Sequence, residues 1–215
     1  GRGGSCTSHS NYHRDALMTS HFKPEMLKPC DIMLVSRLNR GFWVEAWEYI
    51  KGLPKVPWKP SNVFPPRYVS KSIQIITGSP WNHVGGVYSH EHIIEALDRV
   101  KMSPMSKYFD EKKYKIKILR YKHFDNGDII LMKHWLQEQL EAKYDYGAII
   151  RLGLSLGWAR LFKLEISLKD KYPDKWICSE LIQGVMRVSG VNIKSGIMLP
   201  KDFDRADIFK TIWES

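Results

Sequence analysis

The sequence predicts an α+β fold, a small antiparallel sheet or half-barrel with one amphipathic helix packed on it. Two observations point to the sheet and one to the helix. Short apolar runs bounded by turn residues stand at Cys30 to Val35, His83 to Tyr88 and Ile93 to Leu97. The last two are joined by the polar turn SHEH, so they read as a hairpin. The segment Trp176 to Val188, WICSELIQGVMRV, carries Leu181, Ile182, Val185, Met186 and Val188 along one stripe, the pattern of a helix with a buried face. With 43% hydrophobic and 12% aromatic residues in 215, the chain can bury a full core.

Taken in order, residues 1–27 read as an N-terminal extension, and residues 28–215 as one domain. The opening GRGGSCTSHSNYHR has no apolar core of a signal peptide. The strand CDIMLV follows Lys28-Pro29. FWVEAWEYIK, Phe42 to Lys51, is helix-like and amphipathic. Pro54, Pro57, Pro60, Pro65 and Pro66 then exclude regular structure, so residues 39–68 read as an irregular insertion. Val69 to Thr77 has helical spacing and stops at Gly78. Tyr114 to Tyr121, YKIKILRY, alternates apolar and basic residues, as a strand with one wet face does. Asp128 to Lys143 reads as a helix whose start is marked by Asn126, Gly127 and Asp128. The Gly-interrupted apolar stretch Tyr146 to Phe162 fits a buried helix or a substrate-side loop equally well. Gly190 ends the last long helix.

Lys and Arg number 33 against 23 Asp and Glu, a formal net charge of +10, which favours an anionic partner such as phospholipid, nucleic acid or acidic cell-wall polymer. Tyr108, Tyr114 and Tyr121 interleave with Lys112, Lys113, Lys115 and Lys117, a hint of nucleic-acid binding without any recognised motif. Arg151 and Arg160 interrupt the longest apolar stretch, so no transmembrane span is expected; the chain reads as soluble, with its compartment open. Cys6, Cys30 and Cys178 are too few and too scattered for a disulfide framework or a zinc site. His90 and His92 flank Glu91 in a turn, without further ligands for a metal. No cofactor or metal is expected.

One cysteine and one histidine do stand in positions suited to chemistry. Cys178 falls at the start of the last helix, where the dipole and a neighbouring imidazolium favour a thiolate, the form that attacks carbonyl carbon. In HVGGVY, His83, Gly85 and Val87 share one strand face. If Val87 pairs with Ile93, Glu95 falls opposite Gly85 and diagonal to His83, within reach of its ring. A carboxylate there would fix the tautomer of His83 and stabilise its protonated form. Asp98 is the next candidate for that role. Against this stand plainer readings: a small buried cysteine, a structural histidine and a solubilising glutamate.

The order CDIMLV, helix, hairpin with NHVGGVY and IIEAL, YDYG, WICSEL and LPKDF resembles the circularly permuted NlpC-like papain-fold family typified by YiiX-like proteins, over Lys28 to Phe209. The resemblance implies a thiol hydrolase of amide bonds in peptide or N-acyl substrates, acting through an acyl-enzyme intermediate. The matching nucleophile, base and orienting residue are Cys178, His83 and Glu95. Acyl transfer or thioester cleavage on lipid is a related activity in the same fold group, and an inactive binding protein could keep the fold. Implied substrates are amides or esters of cell-wall peptide, protein or lipid. The family's usual Gly-Asp before the first strand is here Cys30-Asp31, which reads Cys30 as a small buried residue and not a second nucleophile. The insertion 39–68, with Trp43, Trp47, Trp58 and Phe64, reads as a lid over the site or a cover for another part of the core.

Overall fold

A computed structural model describes residues 22–38, 74, 77–145, 147–148, 175–191, 193 and 196–215. The helix read at Phe42 to Lys51, the insertion 39–68 with its lid reading, and most of Val69 to Thr77 and Tyr146 to Phe162 lie outside the described residues.

Short apolar segments separated by turns pair into one antiparallel sheet. Its strands are β1 (Ile32–Arg37), β2 (His83–Val87), β3 (His92–Ala96), β4 (Val100–Pro104), β5 (Tyr114–Tyr121) and β8 (Phe209–Glu214), in the order β4-β3-β2-β1-β5-β8. Two short strands, β6 (Lys143–Tyr144) and β7 (Lys175–Trp176), form a separate parallel pair. The helices are α1 (Asn126–Glu138), α2 (Cys178–Val188) and α3 (Pro200–Arg205). The molecule is thus α+β, with an antiparallel sheet and few helices among the described residues. No described helix is long and apolar enough to cross a membrane.

Both faces of the sheet are covered. Ile32, Leu34, Val84 and Ile94 pack with Met132 and Leu136 of α1 and with Leu181, Ile182 and Met186 of α2. The alternate residues Met33, Val35, Val87 and Ile93 pack with Leu27, Met105, Tyr108, Ile116 and Ile118. This is the two-residue period of a strand expressed as two cores, each buried aliphatic side chain contributing about 1.5–3 kcal/mol. Strand β5 departs from the simple wet-face reading. Ile118 and Leu119 point to opposite faces and are each buried in one of the two cores, and Lys115 and Lys117 are tied to Glu214 and Asp204.

Three boundaries differ from the sequence reading, each because another contact captures the backbone. Strand β1 begins at Ile32 since Lys28 to Asp31 form a turn, with the Lys28 N–H on Asp31 Oδ2 at 2.8 Å and Cys30 in the left-handed region at φ 71°. Helix α1 stops at Glu138, well before Lys143. The chain turns at Glu141 (φ 69°), and the Glu141 N–H and Ala142 carbonyl bond to Val100 at the edge of β4, both at 2.9 Å. Trp176 lies in β7 and Ile177 is extended, so α2 starts at Cys178 itself.

The helix ends are specified locally. Asp125 caps α1 by accepting from the Asp128 N–H at 2.8 Å, while Asp128 accepts from the Asp125 N–H at 3.2 Å. The cap is therefore Asp125, one residue before the predicted start signal. Glu180 accepts the Ile177 N–H at 3.2 Å and fixes the entry to α2. Gly190, at φ 77°, ends α2 with its N–H on the Arg187 carbonyl and the Val191 N–H on the Met186 carbonyl, a Schellman motif.

Two glycines set how closely the layers approach. A Cβ on Gly86 would stand 3.3 Å from Ile182 and 3.5 Å from Leu136, so β2 meets both helices at van der Waals contact. A Cβ on Gly184 would stand 2.6 Å from the Trp135 ring, which is how α1 and α2 come together. Trp135 packs edge-on against Trp176, and the Trp176 indole donates to Gln139 at 3.1 Å.

Candidate active site

Three side chains expected to meet do so at the ends of their elements. His83 is the first residue of β2, Cys178 the first of α2, and Glu95 lies near the end of β3. The hairpin pairs Val87 with Ile93 and Gly86 with Ile94, the register that brings Glu95 across from Gly85. A Cβ on Gly85 would come within 3.4 Å of the Glu95 Cβ, so the glycine clears the space the carboxylate side chain occupies. The Glu95 carboxylate then reaches His83, with Oε2 2.6 Å from Nε2.

Cys178 also acts on His83, being among the groups that raise its imidazole. Because Nε2 is engaged by Glu95, Nδ1 is the nitrogen left for the thiol. Burial works against charge on His83, but its interactions with Cys178 and Glu95 outweigh it and raise the imidazole to about 9. At neutral pH the ring carries its proton. Burial alone would raise Glu95, yet the His83 contact, followed by Lys107, holds its carboxyl far below the usual carboxylate range. Glu95 is fully buried and His83 is 9% exposed. This is an ionised, solvent-excluded carboxylate–imidazolium pair.

Cys178 contributes more than its sulfur. As the first residue of α2 its backbone N–H has no partner within the helix, and it sits at the positive end of the helix dipole. Asn82 directly precedes His83 and is buried, and among the described residues its amide Nδ2 has no hydrogen-bond partner. Buried amide donors are nearly always bonded, so this one is conspicuous.

Cys30 is a different kind of thiol. It is buried, its Sγ lies 3.8 Å from the Ile129 carbonyl, and burial together with the neighbouring Asp31 charge pushes it up to about 12. Asp31 does not join the site either. It is buried and forms a two-pronged pair with Arg120, Nε to Oδ1 and Nη2 to Oδ2, both at 2.7 Å.

Compared with known protein families and with curated proteins, the chain matches none. What the site can do follows from its own geometry.

Some residues fall elsewhere than the sequence suggested. Asp98 is at the surface, paired with Lys101 at 2.7 Å and Arg99 at 3.5 Å, and does not touch His83. Of the three tyrosines interleaved with lysines, Tyr108 is buried and Tyr121 packs on Phe124 and Phe209. Lys113 is paired with Asp110. His90 meets the Pro24 carbonyl at 3.0 Å, and among the described residues no cluster of His, Cys, Asp and Glu could hold a metal.

Two contacts on Glu95 were not read from the sequence at all. The Tyr108 hydroxyl donates to Oε2, and Lys107 Nζ to Oε1 at 2.8 Å. Both come from a 3-10 turn, Met105–Tyr108, between β4 and β5. Nothing in the local pattern MSKY distinguishes it from a solvated turn; only the folding of β3 against β4 brings it over Glu95.

Proposed function

We propose that the chain is a thiol hydrolase of amide bonds, with Cys178 as nucleophile, His83 as proton carrier and Glu95 as the residue that orients His83. One observation carries this: a buried histidine is bound through Nε2 to a buried carboxylate and is raised by the thiol of a cysteine that opens a helix. The order of histidine strand before cysteine helix, together with the sequence resemblance, supports a circularly permuted papain-like domain of the NlpC-like kind.

In this reading the Cys178 thiolate attacks the amide carbonyl carbon, and a C–S bond forms as the carbonyl oxygen takes up charge. The Cys178 N–H donates to that oxyanion, and the free Nδ2–H of Asn82, the residue beside His83, is the second donor. Collapse breaks the C–N bond, the electron pair leaves with the amine nitrogen, and the His83 imidazolium supplies its proton. Neutral His83 then takes a proton from water, the hydroxide attacks the thioester, and the carboxylic acid and the thiolate–imidazolium pair are released. Glu95 keeps the ring in place and offsets its charge throughout. The net charge of +10 favours substrates on an anionic surface, such as cell-wall peptide or phospholipid-bound acyl amides.

The test is selective alkylation in a Cys6→Ser background. Iodoacetamide at pH 7 should modify Cys178 well before Cys30, by peptide mass mapping, and Cys178→Ala should abolish turnover of a peptide or N-acyl amide panel. Equal labelling of the two cysteines would sink the assignment. Transfer of acyl groups from lipid esters, with no amide cleavage, would move the activity to acyl transfer on the same site.

A further inference from the structure

The surroundings of Glu95 are more elaborate than an orienting carboxylate needs. Its two oxygens face three donors, with His83 and Tyr108 on Oε2 and Lys107 on Oε1. The turn that supplies Lys107 and Tyr108 is itself fixed. Met105 is buried in the core beneath the sheet, Tyr108 packs edge-on against Tyr114 with ring centres 5.1 Å apart, and Lys107 Nζ lies 4.6 Å from the centre of the Tyr108 ring. The Tyr108 ring also stacks beside His83, centre to centre 6.4 Å.

Such an arrangement has a physical purpose. A lone carboxylate buried without water would take up a proton, or rotate away from a single weak partner. Opposing positive charge and a second hydrogen bond prevent both. The Lys107 side chain is 35% exposed, so its charge is only partly desolvated, whereas its target is wholly buried.

Resting on the proposed hydrolase reading for its role, we infer that Lys107 and Tyr108 are positioning residues of the site, which clamp Glu95 in its ionised form and aim it at His83 Nε2. They act through Glu95 and touch neither the thiol nor a reacting carbonyl. Other ionisable groups nearby do not substitute for them. Lys101 on β4 is the register partner of Glu95, but its Nζ is engaged by Asp98. Tyr114 on β5 meets Tyr108, and Cys178 on α2 meets His83.

The experiment is a carboxyl 13C titration of Glu95 in the full chain, for the parent, Tyr108→Phe, Lys107→Met and the double variant, with Lys107→Arg as the conservative replacement. Tyr108→Phe keeps the ring in the core and removes only the hydroxyl. The clamp predicts that the Glu95 midpoint rises by about one pH unit or more in the double variant, in keeping with the loss of a charge and a hydrogen bond, and stays near the parent in Lys107→Arg. Superposable Glu95 titrations in parent and double variant would overturn the clamp. A shifted Glu95 titration in a protein whose parent Cys178 is no more reactive than Cys30 would leave the clamp standing and overturn the hydrolase reading instead.

Discussion

His83 is the proton carrier of the proposed mechanism. In the proposed mechanism its imidazolium protonates the leaving amine, and its proton is held up to about pH 9 by Cys178 and Glu95 against the cost of burial. A raised histidine is fully protonated below its ordinary range and loses its proton as pH climbs through the folded value. Amide turnover is therefore expected to hold through neutrality and to fall as pH rises through about 9, and a kcat/KM profile checks this. A fall centred near the ordinary histidine value would mean that the pair does not form in solution. Asn82 yields a second prediction at the same scale. Alkylation by iodoacetamide develops no oxyanion, whereas amide cleavage does. Asn82→Ala is thus expected to leave the Cys178 alkylation rate unchanged and to lower kcat about 10²–10³-fold, the usual cost of one oxyanion donor. Since Nδ2 has no partner in the folded protein, its removal strands no acceptor. Equal losses in alkylation and turnover would reassign Asn82 to supporting His83.

Among the elements, α2 decides the geometry of the site, because it both presents Cys178 and fills the core. Leu181, Ile182, Val185 and Met186 are buried, so the helix has little freedom to slide. Its approach to α1 is set at Gly184, directly against Trp135. Gly184→Ala introduces a Cβ 2.6 Å from that ring, and is expected to destabilise by about 1–3 kcal/mol through overpacking, although alanine is the better helix former. Urea unfolding measures this directly. A stabilised Gly184→Ala would mean that Trp135 moves aside freely and that the interface with Trp176 is loose. Because the same displacement would tilt the helix carrying Cys178, the variant should also slow Cys178 alkylation.

For the whole molecule, the two-faced sheet needs its N-terminal segment held down, and Asp31 does this. Arg120 on β5 grips Asp31 with two bonds and the Met26 carbonyl with another at 2.7 Å, while Asp31 also accepts the Lys28 N–H. The lead-in turn is thereby tied to β5, across the strand it precedes. Asp31→Ala leaves a guanidinium without its anion and is expected to cost about 3 kcal/mol, the lower end for breaking a buried pair because the Arg120 side chain is 18% exposed. Denaturant midpoints compared at constant slope test this. A double variant, Asp31→Leu with Arg120→Met, should recover much of the loss, as hydrophobic replacement of buried pairs does. Failure of Asp31→Ala to destabilise would show that the pair is not formed in solution.

The sequence alone determined what depends on short-range order. Short apolar runs bounded by turn residues marked β2 and β3, alternation marked β5, and the SHEH turn set the hairpin register that puts Glu95 opposite Gly85, because a strand's period of two leaves one register that buries Val87 with Ile93. The stripe of α2 and its stop at Gly190 were legible for the same local reason. Contacts distant in sequence decided the rest. Helix α1 lost its last predicted turn to the edge of β4, since Val100 offered its carbonyl and N–H to Glu141 and Ala142. Lys107 and Tyr108 reached Glu95 only once β3 and β4 had paired and the following turn had folded back over them. Asp98, nearer to Glu95 along the chain, was taken by surface cations instead. A buried carboxylate selects its partners by what the packed core leaves within bonding distance, and no linear spacing encodes that.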